Sequence, residues 1–187
     1  MIIDVWADVA HLESYLAKLS LESALESALE SATESDPQVV WHSFQTDRPS
    51  TYDAHRLLHL AAAHGRAEAL RELMMKAFVT EQESPTDREV LLRLAGEANL
   101  DPADAERVLD SDEHGYDVRV DEATAAQIGF EAAPYLVIDR KYGVGGAQPM
   151  AVYLSALTYA REHADEEPEQ REAAVCGGSC GSCGCGA

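Results

Sequence analysis

IGFEAAPYLVIDRKYGVGGAQP, residues 128–149, is the stretch from which the fold can be read. Its centre, YLVID (135–139), is a short apolar run rich in β-branched residues, the signature of a buried strand. Arg140-Lys141 turns the chain into a shorter strand, YGVGG (142–146). Pro149 then opens a last helix that runs to about His163, since proline suits a first helical turn. Just upstream, DEATAAQIG (121–129) reads as a helix, so this half of the chain is α-β-β-α.

The N-terminal side supplies the complement. IIDVW (2–6) reads as a buried strand, about Leu12 to Ala32 as a long helix, and QVVWHSF (38–44) as a second strand launched after Asp36-Pro37. Within the helix the tetrapeptide LESA occurs three times, placing Leu21, Leu25 and Leu29 on one slowly drifting face. From Thr51 to about Asp112 the pattern is helical almost throughout. Gly65 closes one helix, and Ser84-Pro85 and Asp101-Pro102 each read as a cap followed by a first turn. The order is β-α-β, helical block, α-β-β-α. That is an α/β chain with a thioredoxin-like sheet flanked by helices and an all-helical insertion at about 51–115.

Charge narrows the function. The 187 residues carry 14 Lys+Arg against 34 Asp+Glu, a formal net charge of −20. Such a field repels phosphate backbones and anionic lipid, so neither nucleic acid nor membrane is expected as a partner. No apolar run reaches the ~20 residues of a membrane helix. The first residues lack a basic segment, so a secretory signal is not expected and a cytoplasmic location is. All four cysteines, Cys176, Cys180, Cys183 and Cys185, fall in the last twelve residues. Residues 1–164 are therefore expected to fold without disulfides. Residues 165–187, acidic and then Gly/Ser/Cys-rich, are expected to form a disordered tail.

Several stretches together resemble the DsbA family, and more narrowly its cytosolic FrnE-like branch, related to 2-hydroxychromene-2-carboxylate isomerases and kappa glutathione transferases. They are DVWAD (4–8), VVWHSF (39–44), TYDAHRLLHLA (51–61), DREVLLRLA (87–95), SDE (111–113) and the opening stretch at 128–149. The resemblance implies a thiol–disulfide oxidoreductase acting on protein or peptide thiols and disulfides. It also implies a Cys-x-x-Cys at the start of the first helix, just before a tyrosine, where the helix N-terminus stabilises a thiolate. The matching positions here hold His11-Leu12-Glu13-Ser14, followed by Tyr15. Neither a hydroxyl nor an imidazole can form a mixed disulfide, so dithiol exchange at His11 and Ser14 is excluded. The resemblance further implies a cis peptide at Ala133-Pro134 beside that helix, and a ligand groove bordered by Tyr15 and Arg56, whose guanidinium could pair a carboxylate.

Other features are weaker. His55 and His59 share a helix face at i, i+4, but the HExxH pattern is absent and a pair of partly buried histidines is expected. Gly143, Gly145 and Gly146 lack the Lys-Ser/Thr of a phosphate loop and read as a turn. In the tail, Cys180 and Cys183 form a true C-x-x-C, and all four cysteines could wrap Zn²⁺ or Cu(I).

Three functions remain. The first is an oxidoreductase-family member without its usual dithiol, needing no cofactor, with residual redox work on Cys180 and Cys183. The second is a non-catalytic peptide-binding module using the groove near Pro134 and Tyr15. The third is a glutathione-dependent isomerase or transferase with Ser14 activating the thiol. Sequence leaves the oligomeric state open.

Overall fold

The structure is a computed structural model describing residues 1–30, 37–46 and 50–164. Strand β1 (Ile2–Ala7) leads into helix α1 (Leu12–Glu30), and β2 (Gln38–Ser43) follows. Next come α2 (Tyr52–Ala63), α3 (Ala67–Met75) with a π-helical turn over Lys76–Thr80, α4 (Arg88–Glu97), α5 (Pro102–Asp110) and α6 (Gly115–Ile128). The chain closes with β3 (Tyr135–Ile138), β4 (Tyr142–Gly145) and α7 (Met150–Glu162). The sheet order is β2-β1-β3-β4, with β1 and β2 parallel and the other two pairings antiparallel. This is the expected thioredoxin-like sheet, interrupted by the expected helical insertion.

Side chains alternate across a strand, and β1 buries one face fully and the other at its Trp6 end. Ile3, Val5 and Ala7 enter the main core with Leu21 of α1 and Leu157 of α7. Trp6 points the other way, where its Nε1 donates to Asp121 O of α6 at 3.1 Å. Phe130 meets Trp6 edge-on and stacks flat on Tyr135, with centroids 4.3 Å apart. That row of rings explains the aromatic residue in the Gly129-Phe130 corner.

Local signals resolve as physical chemistry dictates, with two corrections. Asp101 caps α5 by accepting Ala103 N–H at 2.8 Å, with Pro102 in the first turn. The cap of α4, however, is Asp87, which accepts Glu89 N–H at 2.9 Å; Ser84 and Pro85 belong to the preceding turn. Helix α6 starts six residues before Asp121, at Gly115, after His114 adopts a left-handed φ of 63°. A Cβ on Gly115 would overlap Tyr52 Oη and the Asp112 carboxylate, so the tight entry requires glycine.

Candidate functional site

The chain leaving β1 turns through Asp8, Val9 and Ala10 before α1 begins. Asp8 is completely buried, and a carboxylate there must be satisfied internally. Its Oδ2 accepts Thr46 N–H and Thr46 Oγ1–H, each at 2.7 Å, and its Oδ1 accepts Ala10 N–H at 3.1 Å. Its own N–H donates to Ser14 Oγ at 3.2 Å. His11 takes the cap position of α1, and its O accepts Tyr15 N–H. The imidazole is partly exposed, with a buried Nδ1 that has no partner among the described residues. Ser14 is fully buried, so its hydroxyl faces the loop.

The Ala133-Pro134 peptide is cis. Strand pairing between β1 and β3 ends at Trp6↔Tyr135, one residue after Pro134 and one before Ala7. Pro134 O accepts Gly146 N–H at 2.8 Å, while Ala133 lies beyond the ladder. On the other side of the helix start lies a cleft of about 400 Å³. Ala10, Leu12, Phe78, Val79 and Pro85 form the apolar part of its lining, and Gln82, Glu83 and Ser84 the polar part. Leu12 is solvent-exposed at 56%, and Leu16, a turn further along α1, at 47%. Tyr15 is half-buried against the core.

Arg56 is placed differently from these residues. Its guanidinium is buried and pairs with Asp53 Oδ1 at 2.6 Å. It also donates to Val108 O, to Ser111 O at 2.7 Å and to Glu113 O at 3.3 Å, which closes the C-terminal end of α5. These are carbonyls left over at a helix end, and a planar fork suits them.

A second polar cluster, absent from the sequence reading, lies behind β2. His42 Nδ1 bonds Asp121 Oδ1 at 2.9 Å and its Nε2 bonds Asp4 Oδ1 at 3.0 Å. Burial opposes charge on this imidazole, yet the two carboxylates outweigh it and raise its pKa above 6.5. Burial likewise opposes charge on Asp121, but bonds from His42, His59 and Ser43 N–H hold its carboxyl well below the usual range. Ser43 Oγ lies 3.0 Å from His59 Nε2, and Asp121 Oδ2 lies 3.2 Å from the same nitrogen. A serine–histidine–carboxylate relay needs the acid on the opposite nitrogen, so this trio is not one.

His55 sits deeper. Burial, with added repulsion from His59 and Arg71, pushes its pKa down to about 4 despite Asp8 and Asp121. Its Nε2 is buried without a partner among the described residues, and the ring borders a cavity of about 50 Å³ shared with Ser43, His59 and Arg71. At about 30 Å³ per liquid water, that is room for one or two molecules. Among the described residues, no three His, Cys, Asp or Glu side chains are disposed to hold a metal ion. Nor is any described helix long and apolar enough to cross a membrane. Cys176, Cys180, Cys183 and Cys185, with the redox and metal expectations placed on them, lie outside the described residues.

The family model of the DSBA-like thioredoxin domain matches residues 2–158. The chain belongs to the DsbA-like thioredoxin-domain family. A solved structure of a probable DsbA oxidoreductase from Streptomyces coelicolor is 30% identical, covers 87% of this chain and 90% of its own, and superposes with a TM-score of 0.79. The family is one of thiol–disulfide oxidoreductases. At the level of fold alone, the chain resembles a Proteus mirabilis DsbA solved with a non-covalently bound peptide. That pair shares 15% identity over 84% of this chain and 85% of the other, with a TM-score of 0.63. It also resembles a 2-hydroxychromene-2-carboxylate isomerase at 14% identity, covering 89% of this chain and 100% of that one, TM-score 0.69. Among curated proteins, no sequence matches the chain.

Proposed function

We propose that this DsbA-like protein is a cytoplasmic member of the FrnE-like branch that retains the family's polypeptide-docking surface and has moved its thiols. In this reading His11 and Ser14 occupy the positions of the family's helix-start cysteines, and thiol chemistry falls to Cys180 and Cys183. The observation that carries it is the juxtaposition at the α1 start. The cis Ala133-Pro134 peptide directly precedes Tyr135, where the β1–β3 ladder ends opposite Trp6, while a cleft of mixed polarity borders Ala10 and Leu12. An extended peptide would have backbone to pair with at Ala133 and a cleft offering both apolar and polar side chains at Ala10 and Leu12. The Ser14 hydroxyl argues against the glutathione-activating alternative, because it is buried and engaged by Asp8 N–H.

The exchange runs by the ordinary route. The Cys180 thiolate attacks a substrate disulfide, forming a mixed disulfide and releasing one substrate thiolate. The Cys183 thiolate then attacks Cys180 Sγ, releasing the second substrate thiol and leaving a Cys180–Cys183 disulfide. Dithiothreitol or glutathione reduces that disulfide for the next cycle. The test compares insulin-disulfide reduction by the full chain with that by Cys180→Ser/Cys183→Ser. A rate that falls to background in the variant is expected. Equal, nonzero rates would overturn the role of the tail thiols, and no rate in either would leave a docking module without catalysis.

A further inference from the structure

The face of the sheet opposite α1 carries a cleft that plays no part in the docking surface. Alternation along β1 sends Asp4 and Trp6 to this face, and α6 covers only part of it. The opening has a volume of about 410 Å³, within the roughly 300–1,000 Å³ range of small-molecule sites. Trp6, Ile128 and Val137 make an apolar wall, and Ile128 stays 46% exposed. Asp4, His42, Thr124 and Arg140 supply the polar part of the lining.

Those polar groups are not equivalent. His42 stacks flat on Trp6, with centroids 4.4 Å apart, and both of its nitrogens are engaged by Asp121 and Asp4. It therefore serves as a rigid floor with no ring nitrogen to spare. Asp4 gives one oxygen to His42, and its Oδ2 has no hydrogen bond among the described residues. Arg140 is exposed, and no carboxylate among the described residues lies within ion-pair distance of it. The turn that carries it is held in place: Asp139 Oδ1 accepts Ile2 N–H at 2.6 Å, and Asp139 N–H donates to Ile2 O at 2.8 Å. The guanidinium is thus presented at the cleft by an anchored turn.

An anion acceptor and a cation acceptor line one cleft without pairing with each other, and an apolar wall completes it. We propose that this cleft binds a small zwitterionic α-amino acid with an apolar, aromatic side chain. The carboxylate pairs with the Arg140 guanidinium, the ammonium with Asp4 Oδ2, and the side chain lies against Ile128, Val137 and the edge of Trp6. An aryl amine lacking the carboxylate leaves Arg140 unused and places only its own charge near that cation. An aryl carboxylate lacking the ammonium leaves Asp4 Oδ2 without a partner. Only the zwitterion satisfies both ends.

The test titrates the full-length chain by calorimetry with three probes that share a ring and differ in charge: L-phenylalanine, phenethylamine and 3-phenylpropionate. The Trp6 indole N–H resonance is followed in parallel to locate the site. The expected result is saturable one-to-one binding of L-phenylalanine with a shifted Trp6 signal, and about tenfold or weaker binding of each analogue, the loss of one charge-assisted pair. Arg140→Gln, on an exposed residue, should keep the circular dichroism spectrum, weaken L-phenylalanine about tenfold and leave phenethylamine no weaker. Equal binding of all three probes, an unmoved Trp6 signal, or no saturation at concentrations of order 10 mM would overturn the proposal. So would an Arg140→Gln variant that binds L-phenylalanine as the parent does.

Discussion

Ser14 Oγ accepts the Asp8 backbone N–H at 3.2 Å, and both residues are fully buried. The bond ties the loop leaving β1 to the third residue of α1. It thereby places His11 at the helix start, where the backbone dipoles converge. The same bond keeps the Ser14 hydroxyl inward, so only the His11 position of the pair reaches solvent.

Placing sulfurs at positions 11 and 14 tests whether this helix start can support a thiolate. In His11→Cys/Ser14→Cys, the thiol at position 11 should titrate clearly below the ordinary value of about 8.5, and insulin reduction should appear. The thiol at position 14, sealed from solvent, should react much more slowly with iodoacetamide. A folded double variant whose accessible thiol titrates near 8.5 without turnover would show that this helix start does not support thiol chemistry.

Asp8 is the keystone of the same loop. Its carboxylate accepts three hydrogen bonds from Thr46 and Ala10 with no solvent to replace them. Asp8→Ala should cost about 2–4 kcal/mol, because those donors are left half-buried and unpaired. Urea denaturation reads this directly. A loss below about 1 kcal/mol would mean that water enters and satisfies the loop.

Which parts of this could be read from the chain follows from how far each signal reaches. The cap at Asp101-Pro102 is a local pattern, and so is the turn at Arg140-Lys141; both are legible within a few residues. Ser84-Pro85 looks identical to such a cap, but Asp87 three residues later competes for the role and wins with its side-chain bond to Glu89 N–H. The start of α6 is hidden because His114 enters through a left-handed conformation that no periodicity reports. The pairing of His42 with Asp121 spans 79 positions and that with Asp4 spans 38. Nothing in the neighbourhood of any of the three announces a partner. Arg56 shows the same limit: its helix is legible, whereas the carbonyls it serves, 52 to 57 positions away, are not.

Two histidines give stability a pH dependence of opposite sign. His55 has its folded pKa pushed down to about 4 from 6.5, so the unfolded chain binds the extra proton first. Stability should therefore fall as pH drops from about 6.5 to about 4, by on the order of 3 kcal/mol at about 1.4 kcal/mol per pH unit. His42 is raised, so its contribution is complete below 6.5 and is lost as pH climbs through its folded pKa. Asp121 acts lower still, its contribution present above its unfolded value of 3.8 and lost in stronger acid. Denaturation midpoints across pH 4–6.5 should flatten in His55→Gln. An unchanged slope would assign that window to other groups.

Arg56 separates a structural guanidinium from a ligand-binding one. Its donors reach Asp53 and three carbonyls at the end of α5, a geometry that a lysine ammonium cannot span. Arg56→Lys should lower stability by about 2 kcal/mol, and Arg56→Met by about 3–5 kcal/mol, since the latter strands buried acceptors without any cation. Affinity for a docked peptide should stay the same in Arg56→Lys, because the proposed docking residues Ala10, Leu12 and Ala133 lie outside α2 and the end of α5 that Arg56 serves. Were Arg56 instead to pair a substrate carboxylate, the pattern would invert. Stability would hold within about 0.5 kcal/mol, as for substitutions away from buried networks, while affinity would fall about tenfold with the lost charge-assisted bond. Measuring urea midpoints and peptide affinity on the same two variants decides between these outcomes.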